Sequence, residues 1–119
     1  MGPISFSRGS LRFTGGRDLA ISDESEESLA AELEGEGYEH VEEPFALGDV
    51  SFHLGWTYHR AGSNLTDRPR RAFTIIYLED GARLIEPRRP EHEADRDAFI
   101  AGREPGELVD TELNPLLYP

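Results

Sequence analysis

Two imidazoles and a guanidinium stand close together in the middle of this 119-residue chain: His53, His59 and, eleven residues after the second histidine, Arg70. A neutral imidazole can give its lone pair to a divalent metal ion, and a planar guanidinium can hold a carboxylate by two parallel hydrogen bonds. The polar residues Thr57, Ser63, Asn64 and Thr66 lie among them. Unbroken strand geometry would put His53 and His59 on one face as a metal-binding pair. Gly55 interrupts that run and removes the case for such a pair. Cysteine is absent, which excludes thiolate metal sites, a cysteine nucleophile and a disulfide framework.

The elements that must position these groups read as mainly β. Ile4 and Phe6 alternate with serines in a short strand over 3–7, and Gly9-Ser10 marks a turn. Ser22 caps a helix over 24–33, whose first turn is acidic, whose Leu29/Leu33 stripe is narrow and whose stop signals are Gly35 and Gly37. A strand follows at 38–42, then a turn at 44–49 and a second strand at 50–54 that Gly55 ends. An extended piece at 56–60 carries His59, and a polar loop at 61–69 leads to Arg70. Residues 71–78 form the strongest strand pattern, apolar on both faces and therefore central to a sheet. Glu79-Asp80-Gly81 would turn this strand into a returning one at 82–85. Residues 86–119 read as a wrapping tail with helical potential at 92–101, docking through Leu108, Val109, Leu113, Leu116, Leu117 and Tyr118.

Bulk composition narrows the partners. The chain has 24 acidic and 12 basic residues, a formal charge of −12, and 37% hydrophobic content. Such a surface repels nucleic acid and anionic bilayers, although Arg68, Arg70 and Arg71 offer a local spot for a small anion. No stretch approaches the ~18 apolar residues of a membrane span, and no apolar leader is present at the N-terminus. The expectation is a single domain over 1–119, soluble and cytoplasmic.

The run GDVSFHLGWTYHRAGSNLTDRPRRAFTIIY, residues 48–77, resembles the C-terminal signature of the phytanoyl-CoA dioxygenase family of non-haem Fe(II)/2-oxoglutarate oxygenases. The resemblance implies a double-stranded β-helix, the jelly-roll of the cupins, with iron held by two histidines and one carboxylate. It places the distal iron ligand at His59 and the arginine that grips 2-oxoglutarate at Arg70, with Thr57 and Ser63 as polar groups near the cosubstrate. Asn64, Thr66 and Pro69 match the loop between the two strands, and the resemblance implies that His53, where the family tolerates other residues, lines the pocket with Asn64 and Thr66. The implied activity is hydroxylation of a small or acyl substrate. Gly2-Pro3-Ile4-Ser5-Phe6 with Gly9-Ser10 is similar to the family's "GP…F…GSH" segment, except that Leu11 stands where the histidine belongs, and 105–118 is similar to its C-terminal tail.

The family's other two ligands come from an H-x-D motif, which does not occur in these 119 residues. The nearest substitute, His40-Val41-Glu42, lies where the family has an ordinary strand. The chain therefore reads as a partial barrel, the second half of a jelly-roll, completed by an upstream segment, by another chain or as a homo-oligomer. The alternative is a non-catalytic module that keeps the carboxylate-binding arginine without the metal.

Overall fold

A computed structural model describes residues 2–20 and 22–118; Pro119, the last residue of the expected tail, lies outside the described residues. The chain divides into two units, 1–72 and 73–119.

The first unit is built on strand β1, Ile4–Arg8. Helix α1, Asp23–Gly35, is followed by the edge strands β2, Glu39–Glu42, and β3, His59–Ala61. They make a three-stranded antiparallel sheet in the order β2-β1-β3. Phe6 lies opposite Val41 on one side and His59 on the other, while Ser5 lies opposite Glu42 and Arg60. Residues directly opposite in an antiparallel pair share a face, so this register sorts the sheet. Ser5, Ser7, His40, Glu42 and Arg60 share one face; Ile4, Phe6, Arg8, Val41, His59 and Ala61 share the other.

α1 covers the serine face. Ser22 accepts the Ser25 backbone N–H at 3.1 Å, and Ser25 Oγ in return accepts the Ser22 backbone N–H at 3.0 Å, a reciprocal cap that fixes where the helix starts. Asp23, Glu24 and Glu26 favour the same end of the helix dipole. Leu33, 6% exposed, is the one buried hydrophobic side chain among the described residues. Arg60 reaches across to Glu26 at 3.0 Å. Between helix and sheet remains a cleft of about 460 Å³, lined by Ser5, Ser7, Leu29, Leu33 and Tyr58 among others.

One end of the sheet is tied by a hub that the sequence pattern did not reveal. Ser10, fully buried in the single helical turn Ser10–Arg12, accepts the Tyr58 backbone N–H at 3.0 Å. The Tyr58 hydroxyl donates to Gly15 O at 2.6 Å. Arg17 donates to the carbonyls of Leu11 and Phe13 and stacks over Trp56 at 4.4 Å. Gly16, at φ 70°, makes the turn that brings Arg17 back, a conformation costly for any residue with a Cβ.

In the second unit, helix α2 spans Pro90–Phe99, with Pro90 opening it and the Asn114 amide capping Phe99 O at 2.7 Å. The returning segment does not pair with 71–78. Leu84 N donates to Glu107 O, Gly106 N to Leu84 O and Val109 N to Ala82 O, so its partner is the tail at 106–109. Arg103 fastens that tail through Asp110 at 2.6 Å.

The barrel expectation reduces to this small sheet with two helices; the described residues form no closed barrel. Residues 50–54 and 71–78, expected as strands, have no strand partner among the described residues. The reason is elementary: a strand exists only through its neighbours' hydrogen bonds, and a segment apolar on both faces needs cover on both. Phe73 is 90% and Ile76 79% exposed, and Leu113, Leu116, Leu117 and Tyr118 of the tail are exposed as well. The chain exposes 10210 Å². Two separate compact units of these sizes would together expose only ~7,700 Å². No helix is long and apolar enough to cross a membrane among the described residues.

Candidate functional site

The open face of the sheet carries the imidazoles. His59 sits on β3 opposite Phe6, and its Nδ1 lies 2.9 Å from the backbone carbonyl of Thr57. A carbonyl only accepts, so this contact requires the proton on Nδ1 and leaves the Nε2 lone pair of the neutral ring available. The same arrangement, a backbone carbonyl behind the imidazole, orients histidines that bind metals. Thr57 thus supports His59 through its main chain rather than through its hydroxyl.

His53 joins the face by a route that strand geometry does not offer. The Thr57 N–H donates to Leu54 O at 2.9 Å, closing a turn over 54–57 that folds the chain back on itself. The His53 ring then lies with its centroid 4.6 Å from that of His59 and 5.0 Å from that of Phe6. Gly55, expected to separate the two histidines, sits in the turn that brings them together. Partial burial, and secondarily the neighbouring His59, hold the His53 pKa below its ordinary value of 6.5, so the ring favours the neutral, lone-pair form.

Arg70 is anchored beside this sheet. Its Nη1 donates to Gly2 O at 2.8 Å and to Gly62 O at 2.9 Å, the residues just before β1 and just after β3. One nitrogen therefore ties the loop to the strand ends. The Nε–Nη2 edge has no partner among the described residues, and it is the edge that meets a carboxylate side-on with two hydrogen bonds. Gly2 is required there: a Cβ on it would overlap the Gly62 carbonyl.

Asn64 and Thr66 organise the intervening loop. Asn64 Oδ1 accepts the Thr66 N–H at 3.2 Å and the Thr66 hydroxyl at 2.8 Å, while its amide donates to Arg68 O at 2.6 Å. They shape the path from His59 to Arg70, which is the turning role expected of the loop. Ser63 is exposed, with only its backbone carbonyl close to Gly2.

His40 and Glu42 stand 3.8 Å apart, but on the helix-covered face, opposite Ser7 and Ser5. The sheet itself separates this H-x-E pair from His59. An Fe(II) site with two imidazoles and a carboxylate is not filled by the described residues, among which no group of three histidine, cysteine, aspartate or glutamate side chains could hold a metal ion. Two imidazoles without a carboxylate lack both the facial geometry and the charge balance that such iron needs.

Comparison with known proteins adds no relative: no family model, curated protein or solved structure matches the chain.

Proposed function

We propose that this chain supplies the cosubstrate-binding half of an Fe(II)/2-oxoglutarate dioxygenase of the phytanoyl-CoA dioxygenase type. The observation that carries the reading is Arg70, whose guanidinium is pinned by one nitrogen to the ends of β1 and β3 and offers its unpaired edge to a carboxylate. His59, with Nε2 left available by the Thr57 carbonyl, is the metal-ligand position that the resemblance assigns. In this reading Arg70 binds and orients the distal carboxylate of 2-oxoglutarate, His59 gives one lone pair, and His53 lines the pocket beside Phe6. The remaining ligands, and the cover for the small or acyl substrate, come from outside these 119 residues, from an upstream segment or another polypeptide.

A second copy of this chain carries no H-x-D motif either, and its role in this reading is to cover the exposed apolar segment. Residues 72–78 are uncharged, exposed and without backbone pairing. The excess exposed area is well above the ~800 Å² per partner of a standard interface. Light scattering is expected to show a dimer or larger assembly; a stable, well-folded monomer would contradict this.

A second reading has its own support. The Nε–Nη2 edge of Arg70 can meet a carboxylate without a metal, which supports a non-catalytic module that binds a small carboxylate through Arg70 alone. Calorimetry with 2-oxoglutarate, with and without Mn(II) as an inert stand-in for Fe(II), separates the two. The dioxygenase reading expects metal-dependent binding lost in both Arg70→Ala and His59→Ala. Binding that ignores the metal and His59→Ala belongs to the module, and no heat under any condition overturns the enzyme reading.

A further inference from the structure

We propose that His53 and His59 form a two-imidazole chelate for a borderline divalent ion such as Zn(II), held by this chain alone on the open face of the sheet. The geometry meets the requirement of a shared ion. A metal bound at ~2.0–2.1 Å from an imidazole nitrogen lies about 3.2 Å from the ring centroid, so two rings sharing one ion in tetrahedral or cis-octahedral coordination have centroids about 4.5–5.2 Å apart. The two rings are 4.6 Å apart and tilted by 56°.

The protein also leaves a ring nitrogen unclaimed on each histidine. The Thr57 carbonyl takes the Nδ1 proton of His59 and leaves Nε2 to the ion. His53 has no hydrogen-bond partner among the described residues, so no protein contact competes for its lone pair. Phe6 lies beside both rings, at 5.0 and 6.1 Å between centroids. Both histidines are exposed, which leaves the other coordination positions to water or to an incoming ligand. Paired imidazoles without carboxylates select Zn(II), Cu(II) and Ni(II) over Mg(II) and Ca(II). The formal charge of −12 concentrates cations near the surface.

The chelate is independent of the dioxygenase reading. That reading needs Arg70 and an outside carboxylate and assigns His53 no ligand role; the chelate needs His53 and neither of the others.

The test is calorimetric titration of the tag-free, full chain with ZnCl₂ in the absence of 2-oxoglutarate. A saturable site with one ion per chain is expected, lost in His53→Asn and in His59→Asn and retained in Arg70→Ala, His40→Asn and His92→Asn. Ring ¹⁵N spectra of the unmutated chain provide a check that does not depend on how any variant folds: Zn(II) should shift one nitrogen of each of the two rings together. No saturable site, a site that survives His53→Asn in a folded chain, or a shift confined to His59 would overturn the proposal.

Discussion

The two faces of the β1 sheet are built from the same five residues of one strand, yet they differ in everything that follows. On the serine face α1 lies over Ser5 and Ser7, and Ser5, Ser10 and Leu33 are closed off from water. The opposite face displays Phe6, His53 and His59, with both histidines exposed. The difference teaches where stability and chemistry have been separated. Small side chains on one side let a helix approach, and aromatic nitrogen donors on the other stay available to a ligand.

That separation can be broken first at Leu33. Leu33→Ala should cost about 2–3 kcal/mol in urea unfolding, toward the lower part of the range for buried leucines because the adjoining cleft lets the site relax. Zn(II) binding by the fraction still folded should be unchanged. Next comes Ser10→Ala, which leaves the part-buried Tyr58 N–H without its acceptor and should cost ~1 kcal/mol, read from the same midpoint.

A smaller effect comes from the open face. Because the His53 pKa lies below 6.5 in the folded chain, the unfolded chain takes up the proton first as pH falls. Stability should therefore decline from pH 6.5 downward until the folded-state pKa is passed, with no contribution from this group above pH 6.5. Unfolding midpoints at pH 7.5 and 5.5 check this, since His53→Asn should show a smaller drop than the unmutated chain. Smallest of all, Arg60→Ala removes an ion pair whose two partners are each about half exposed, and should change stability by less than ~0.5 kcal/mol.

Much of the covered face was legible in the sequence. The Ile4/Phe6 alternation gives β1, Ser22 gives the start of α1 within one residue, and the narrow Leu29/Leu33 stripe gives the packed side of the helix. These are local signals, set by neighbours a few residues apart. The failures are nonlocal. Residues 71–78 have every property of a central strand but no partner to make them one, and 82–84 pair with 106–109 rather than with the adjacent segment. Composition cannot specify a partner more than twenty residues away. At the site, Gly55 was read only as a break that separates His53 from His59, whereas it sits in a turn that folds the two rings together. Arg17 and Ser10 gave no signal beyond a lone cation and a turn serine, since their importance lies in contacts to Tyr58 and Trp56 more than thirty residues on.

The claim that the open face is the ligand face rests most directly on which nitrogen of His59 carries the proton. A long-range ¹H–¹⁵N spectrum of the histidine rings near pH 7.5, recorded before and after Zn(II), reads that atom. The structure predicts the Nδ1–H tautomer, with the Nε2 resonance moving on metal addition. An Nε2–H tautomer that stays in place when Zn(II) is added would contradict it.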